Sequence, residues 1–287
     1  MNTSKNIERY FGGRTLVLAT MHGKDKVLQP ILESALGVKM LVPIGLDTDE
    51  WGTFSGEVER NGSPLETARR KCEAAHRLTG ESLVMASEGS FGAHPVLGFV
   101  PANEEWLLLK DFERDFEIKA KVISTSTNFA GAAYKDWDDL IYFVVQTNFP
   151  SHGLMVRGAK DDLTEIHKGL RDWDSLKSSF NYFRKRNGQA YIETDMRAMH
   201  NPTRMKVIGE VAQKWLEVAH TFCPMCEAPG FAVHHVVKGL PCGTCEAPTK
   251  TAKAYIHHCG VCGHKEERST ELVKQKEDPM FCDSCNP

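Results

Sequence analysis

Short apolar runs alternate with stretches of helical period through the first half of the chain. Thr15-Leu-Val-Leu-Ala19 is a run of strand length that ends in the polar turn Thr20-Met-His-Gly-Lys-Asp-Lys26. Val27, Ile31, Leu32, Ala35 and Leu36 then recur on one helical face, and Lys39-Met-Leu-Val-Pro43 reads as a second strand. Ser63-Pro-Leu-Glu66 has the residues of a helix start: a serine N-cap, proline at the first helical position and a glutamate placed to close a capping box. That helix carries Ala68, Cys72, Ala75 and Leu78 towards a core. Ser82-Leu-Val-Met-Ala86 is a third strand, ending at Ser87-Glu-Gly-Ser-Phe-Gly92, and further strand-like pieces cover 96–100, 105–111, 118–124 and 140–146. Alternating strands and helices predict an α/β domain over residues 1–158.

Residues 159–222 carry a helical period and predict a helical linker region. Leu163 to Asn187 gives one or two helices. Asn201-Pro202 supplies a cap and a first helical residue, after which Met205, Ile208, Ala212, Trp215 and Ala219 form an apolar stripe expected to pack on the first domain.

Cysteine usage changes the picture from residue 223 onward. Eight of the nine cysteines fall in four Cys-x-x-Cys knuckles: Cys223/Cys226, Cys242/Cys245, Cys259/Cys262 and Cys282/Cys285. Two thiolates on one tight turn can face one metal ion, and two such turns complete a tetrahedral Zn(Cys)4 site. Residues 223–287 therefore predict a module of two zinc ribbons holding two structural Zn²⁺ ions. The gaps of 15 and 19 residues between successive knuckles suit sequential pairing, which is the leading expectation. Nested pairing is open, as is an interleaved one. His234, His235, His257, His258 and His264 lie nearby, but eight thiolates already satisfy two ions. Four-cysteine sites keep no open position, so this zinc is structural rather than catalytic. Cys72 stands alone in a helical pattern and reads as a small buried hydrophobe.

Composition excludes some functions. No run of 18 apolar residues exists to span a membrane, and the polar stretch Met1 to Gly13 lacks the apolar core of a signal peptide. A cytoplasmic location is the expectation, since such knuckles bind metal in a reducing compartment. The net charge is −3, and the segment from Cys223 onward holds seven Lys/Arg against eight Asp/Glu. That is a poor footprint for nonspecific nucleic-acid binding, though it permits a protein partner on the zinc module.

Three polar segments of the first domain can converge on a ligand. The turn Thr20 to Lys26 follows a strand and opens a helix, and its groups (Thr20, His22, Lys24, Lys26) are of the kind that cradle phosphate. Phe54-Ser-Gly-Glu57 lies in a polar loop, and Ser87-Glu88-Gly89 follows a buried strand, where α/β folds bind ligands. Glu57 and Glu88 are candidate ligands for a catalytic Mg²⁺, with substrate phosphates completing the shell. Ser124-Thr-Ser-Thr-Asn128 and Phe149-Pro-Ser-His-Gly-Leu154 can line the base or sugar side of the same cleft. Ser151 and His152 are sequence neighbours without a nucleophile elbow, so no Ser/His mechanism is expected.

The order of these segments resembles the inosine/xanthosine triphosphate pyrophosphatase superfamily, within it the non-canonical purine NTPase branch. Val17-Leu-Ala-Thr20 with His22, Lys24 and Lys26 is similar to that family's strand and Thr/Ser-x-Asn-x-x-Lys turn. Glu66-Thr-Ala-Arg-Arg-Lys-Cys-Glu-Ala-Ala75 is similar to its Asn-Ala-x-x-Lys-Ala helix and places Lys71 on the family's lysine. Val84-Met-Ala-Ser-Glu-Gly89 is similar to its strand ending in acidic residues and places Glu88 on the metal-binding acid. His22 stands where the family has Asn, one extra residue precedes Lys26, and Ser87 takes one position of the acidic pair. The resemblance runs from the start of the chain to about Thr125. It implies an elongated mixed-sheet fold with a nucleotide cleft, in which Glu57 and Glu88 hold Mg²⁺ while Lys24, Lys26 and the catalytic-site Lys71 neutralise a triphosphate. The whole chain, ending Asp278-Pro-Met-Phe-Cys-Asp-Ser-Cys-Asn-Pro287, resembles an uncharacterised bacterial family carrying a domain of unknown function. The leading expectation is a Mg²⁺-dependent nucleotide pyrophosphohydrolase or a degenerate nucleotide-binding relative; a non-enzymatic adaptor acting through the zinc ribbons is the alternative.

Overall fold

The structure, a computed structural model, describes residues 3–270 and 274–287. Met1 and Asn2, part of the stretch considered as a leader, lie outside the described residues. Among the described residues no helix is long and apolar enough to cross a membrane.

The first lobe is built on a five-stranded mixed sheet. Helix α1 (Thr3–Phe11) leads into β1 (Thr15–Ala19), α2 (Asp25–Leu36), β2 (Lys39–Leu41), α3 (Pro64–Thr79), β3 (Leu83–Ala93), β4 (Pro101–Asp111) and β5 (Phe116–Ser124). The strand order is β2-β1-β3-β4-β5, with β1 parallel to both neighbours and β3, β4 and β5 antiparallel. Side chains of a strand alternate between faces, and the core follows that alternation. Leu16, Leu18, Leu83, Met85, Leu107 and Leu109 meet Leu28, Leu32 and Leu36 of α2 on one face. Val17, Ala19, Val84, Ala86 and Leu108 meet Ala68, Cys72 and Ala75 of α3 on the other. Helix α3 begins as its sequence predicts: Ser63 accepts from the Glu66 backbone while the Glu66 carboxylate accepts from the Ser63 backbone. Cys72 is fully buried, and burial pushes its thiol well above the usual range. Leu78, expected in the core, is half exposed at the end of the helix.

The second lobe is inserted between β5 and the long helix α6 (Pro202–Ala219). It comprises β6 (Gly131–Tyr134), α4 (Trp137–Gln146), β7 (Leu154–Arg157), β8 (Ile166–Leu170), α5 (Trp173–Asn187) and β9 (Ala190–Thr194). The order of its antiparallel sheet is β6-β9-β7-β8. Leu140, Val144, Leu154, Val156, Phe180 and Ile192 form its separate core. The chain thus crosses between lobes twice, through residues 125–130 and 195–201. These crossings are tied together: Asn201 donates to Asn128 Oδ1 at 2.8 Å, and Asn128 donates to the Thr147 carbonyl at 2.9 Å.

Three expectations are corrected here. Residues 140–146 form helix α4, not a strand: Leu140 and Val144, four apart, are its buried positions, while Tyr142 and Val145 face outward. Residues 96–100 form the exposed tip of the β3–β4 hairpin. The stretch 159–222 is not helical throughout, since β8 and β9 lie within it and pair with β7 from before residue 158. Helix α6 does pack on the first lobe through Ile208, Val211, Ala212, Trp215 and Ala219.

The third unit is a three-stranded antiparallel sheet, β10 (Ala232–Lys238), β11 (Ala252–His258) and β12 (Lys265–Ser269), which carries the cysteine knuckles at its ends.

Candidate functional site

Two cysteine tetrads assemble at the ends of the third sheet. Cys223, Cys226, Cys259 and Cys262 form one, and Cys242, Cys245, Cys282 and Cys285 the other. The sequential pairing expected from the gap lengths is overturned: the knuckles interleave, first with third and second with fourth. The antiparallel ribbon explains this. Strand β10 leaves the first knuckle and reaches the second, and β11 returns to the third beside the first. Sulfur–sulfur distances are 3.7 Å for Cys223–Cys262 and 3.5 Å for Cys226–Cys259. They are 3.8 Å for Cys242–Cys285 and 3.6 Å for Cys245–Cys282. Zn–S bonds of about 2.3 Å set tetrahedron edges of about 3.8 Å. Both tetrads therefore fit a structural Zn²⁺. Three of the four knuckles share one backbone device. The residue after the second cysteine (Glu227, Glu246 or Gly263) takes positive φ, and its N–H returns to the first cysteine's carbonyl. The Cys223 and Cys242 sulfurs also accept backbone N–H bonds from Met225 and Thr244. The nearby histidines stand outside both tetrads, with His257 and His264 packed against Phe231.

A second candidate site is a cluster of buried charged residues near the carboxyl end of β1. Strand β1 stops at Ala19, opposite Ala86, while β3 runs on to Ala93. Glu88 is therefore in mid-strand, and the strand end beside it is that of β1. Lys24, nearly fully buried, crosses to β3 and donates from Nζ to the Ser87 carbonyl at 2.8 Å and to Ser87 Oγ at 3.3 Å. On the opposite face of β3, the buried Lys71 of α3 forms an ion pair with Glu88 Oε1. Arg60 lies 3.5 Å from Glu88 Oε2 and donates to the Gly89 carbonyl at 2.7 Å. Two cations, Lys71 and Arg60, thus close on one carboxylate, while Lys24 reaches the neighbouring residue Ser87 from the other face of the sheet. Thr20 is buried at the end of β1, where its hydroxyl accepts from the His22 backbone.

Behind this group lies a fully buried ion pair, Arg204 with Glu105, at 2.6 Å. The Arg204 guanidinium also sits 4.3 Å from the Phe54 ring centroid. Burial, then the neighbouring Arg204, pulls the Lys24 amine down to about 7. A Cβ on Gly89 would collide with the Arg204 guanidinium and approach Glu105 Oε1 at 2.6 Å. Gly89→Ala should therefore destabilise the protein by about 1–3 kcal/mol, as overpacking of a close-packed interior does. A melting temperature equal to wild type would show that Arg204 is free to move aside.

The remaining predicted site residues are placed differently. The Glu57 carboxylate accepts from Ser55 Oγ at 2.7 Å and pairs with Lys168 of the second lobe, which holds it below the usual carboxylate range. Glu57 and Glu88 therefore take different cationic partners and do not form a shared pair. Lys26 is exposed, in a shallow depression with Arg171, Met199 and Met205. His22 Nε2 lies 3.6 Å from Asp49, which it holds below its usual range. His152 caps α6: the Thr203 N–H donates to its Nε2 at 3.2 Å. That leaves Nδ1 as the protonated nitrogen, 3.0 Å from Ser151 Oγ, so this imidazole is no base for the serine. Arg60, Arg204, Glu105 and Lys168 were not found by motif. Arg204 and Glu105 had a signal, since each places a charge on an otherwise apolar face (with Ile208 and Trp215, and with Leu107 and Leu109, respectively).

No curated protein matches this chain. Among solved structures, protein VC0702 from Vibrio cholerae is similar at a TM-score of 0.26 and 11% identity, over 39% of this chain and 64% of that one, less than two thirds of its length. The family described as "Domain of unknown function (DUF6671)" matches residues 71–287, from Lys71 inside α3 through Glu88, the second lobe and both tetrads. Matched over more than half of its length, the chain belongs to the DUF6671 family.

Proposed function

We propose that the charged cluster at β1 and β3 binds the phosphate chain of a nucleoside triphosphate, in a protein whose third unit is held by two structural zinc ions. The observation that carries this reading is that Lys24, Lys71 and Arg60 meet three successive residues of β3, Ser87, Glu88 and Gly89, so that with Arg204 four cations surround two carboxylates, Glu88 and Glu105. A polyanion supplies the missing charge, and buried, preorganised cations hold it more strongly than solvated ones do. The resemblance of the first 125 residues to nucleotide pyrophosphatases points to the same ligand, with Thr20, His22 and Lys24 on the phosphate turn.

As they stand, Glu57 and Glu88 do not fit a divalent cation: Lys168 neutralises one, and Lys71 with Arg60 neutralises the other. Pyrophosphate release is the activity such a site would carry, and Mg²⁺ dependence is a property to measure. The decisive experiment titrates tripolyphosphate and a panel of canonical and deaminated nucleoside triphosphates into zinc-replete protein, with and without Mg²⁺, and separates pyrophosphate from phosphate release. Binding of the polyanions, at least tenfold weaker in Lys71→Met, is the expected result. No binding of any of them to folded protein would remove the phosphate reading. Turnover in wild type that persists unchanged in Glu88→Gln would remove Glu88 from the chemistry.

A protein contact through the second tetrad is a separate reading, favoured by Met280 and Phe281, which lie exposed beside Cys282. It predicts that Cys282→Ser leaves polyanion binding unchanged.

A further inference from the structure

Next to the cation cluster, β3 turns from small polar residues to an aromatic one. Phe91 packs against Phe54 with ring centroids 5.6 Å apart and against Phe129 at 5.7 Å, the latter pair tilted by 33°. Phe129 belongs to the first crossing between the lobes, directly after the Ser124–Asn128 cluster, and is 40% exposed. Phe91 lies two residues beyond Gly89 on the same face of β3, so the aromatic group adjoins the face on which Lys24 meets Ser87.

Directly across from Phe91 on β4 is Asn103. Opposite residues of antiparallel strands share a face, with Cβ atoms about 4.5–5.5 Å apart. Asn103 is fully buried, and among the described residues neither its Nδ2 nor its Oδ1 has a hydrogen-bond partner. Buried amides are nearly always engaged, and each exception calls for a cause. This one offers a donor and an acceptor side by side behind an aromatic wall, beside the cation cluster.

We infer that Phe91, Phe129 and Asn103 form the subsite for the base of the nucleotide. This rests on the phosphate reading above. A planar heteroaromatic ring stacks on Phe91 in the place that Phe129 now covers. Its edge then meets the Asn103 amide, which suits bases presenting an adjacent donor and acceptor. The N1–H/O6 edge of hypoxanthine or guanine and the N3–H/O4 edge of uracil have that form. Stacking tolerates any base, and the amide favours a ring with an adjacent donor and acceptor (an edge adenine and cytosine also offer) over one without it, because a buried polar group left unpaired is costly.

The test compares three probes by equilibrium binding: inosine triphosphate, tripolyphosphate and free inosine. It uses wild type, Asn103→Leu and Phe129→Ala, with the folding of each variant checked by thermal melting. Wild type is expected to bind inosine triphosphate at least tenfold tighter than tripolyphosphate. Both variants should cut that ratio at least tenfold while tripolyphosphate affinity stays the same. Phe129 is exposed, so its alanine variant keeps the test open if Asn103→Leu fails to fold. Equal affinity of wild type for the two polyanions, or a ratio unchanged in a folded variant, overturns the base subsite and leaves the phosphate site standing. Loss of tripolyphosphate binding in wild type, with inosine still bound and dependent on Phe129, overturns the phosphate reading and keeps the subsite. If none of the three probes binds, both fall.

Discussion

Cys223→Ser should leave the protein with one bound zinc ion and a main lobe that no longer melts cooperatively. Cys282→Ser should also leave one zinc ion, but a main lobe that melts as in wild type. The difference lies in where each tetrad sits. Cys223 and Cys259 are buried in the same cluster as Phe11, Phe116, Ile118, Trp215 and Phe231, and Cys226 packs against it. The Trp215 indole N–H donates to the Ile118 carbonyl at 3.0 Å, and Gly230 lies so close to Ile118 that a Cβ there would stand 2.7 Å from its side chain. The first zinc site is thus one wall of the main core. The second tetrad is joined instead to its own local network. Glu277 is buried and accepts from Thr251 Oγ1 and Lys274, and its backbone carbonyl accepts from Gly243. Structural zinc in a small module is worth on the order of 10 kcal/mol, comparable with the whole stability of an ordinary domain. Metal content by mass spectrometry, with melting followed in the near-ultraviolet, separates the two variants. Equal losses of main-lobe stability would show that both ribbons support it, and no loss in either would make the module an appendage.

The sequence holds a partial signal for the pairing, though not in the gap lengths. Cys223-Pro-Met-Cys-Glu-Ala-Pro229 and Cys242-Gly-Thr-Cys-Glu-Ala-Pro248 are two copies of one unit, Cys-x-x-Cys-Glu-Ala-Pro. Each copy closes in the same way, with Phe222 bridging Pro229 and Pro241 bridging Pro248. In the structure each copy opens a different site, and the repeat taken alone fits the nested arrangement equally well. Local signals with one physical reading came through intact: the capping box at Ser63, the run Thr15–Ala19 and the Asn201-Pro202 start of α6. The run Leu140-Ile-Tyr-Phe-Val-Val145 did not, because its β-branched and aromatic composition suits a strand while its buried pair Leu140/Val144 has helical spacing. Composition and period disagreed there, and tertiary packing decided.

In the charged cluster, residue types were legible and partners were not. Lys24 and Lys71 meet neighbouring residues of β3, Ser87 and Glu88, from opposite faces of the sheet. Glu57 is held by Lys168, 111 positions later in the inserted lobe, and no local pattern reports a pairing of that length. The same holds for Arg204 and Glu105, 99 positions apart.

Lys24→Met should make the protein more stable at neutral pH and abolish its binding of polyphosphate. Lys24 titrates near 7 in the folded protein against 10.5 for a solvated lysine, because burial and then Arg204 disfavour its charge. Between these two values the unfolded chain binds more protons than the folded one, so the lysine's contribution to stability rises with pH across that window. Below about pH 7 the full cost of the buried ammonium is present, at about 1.4 kcal/mol per unit of depression. Methionine matches the length of the side chain and removes that cost, but it also loses the bonds to Ser87. A net gain on the order of 2 kcal/mol at pH 6–7 is expected, shrinking towards pH 10 as the wild-type amine becomes neutral at little cost. Binding moves the other way. A polyanion beside Lys24 raises its pKa, so binding takes up a proton at neutral pH and the affinity falls as pH rises above 7. Titration calorimetry in two buffers of different ionisation enthalpy reads that uptake directly, and it should vanish in Lys24→Met. Under the phosphate proposal, the polyanion is what explains a group kept where it weakens the fold. If the methionine variant were less stable than wild type at pH 6–7, the Ser87 bonds would outweigh the buried charge, and Lys24 would be a structural residue.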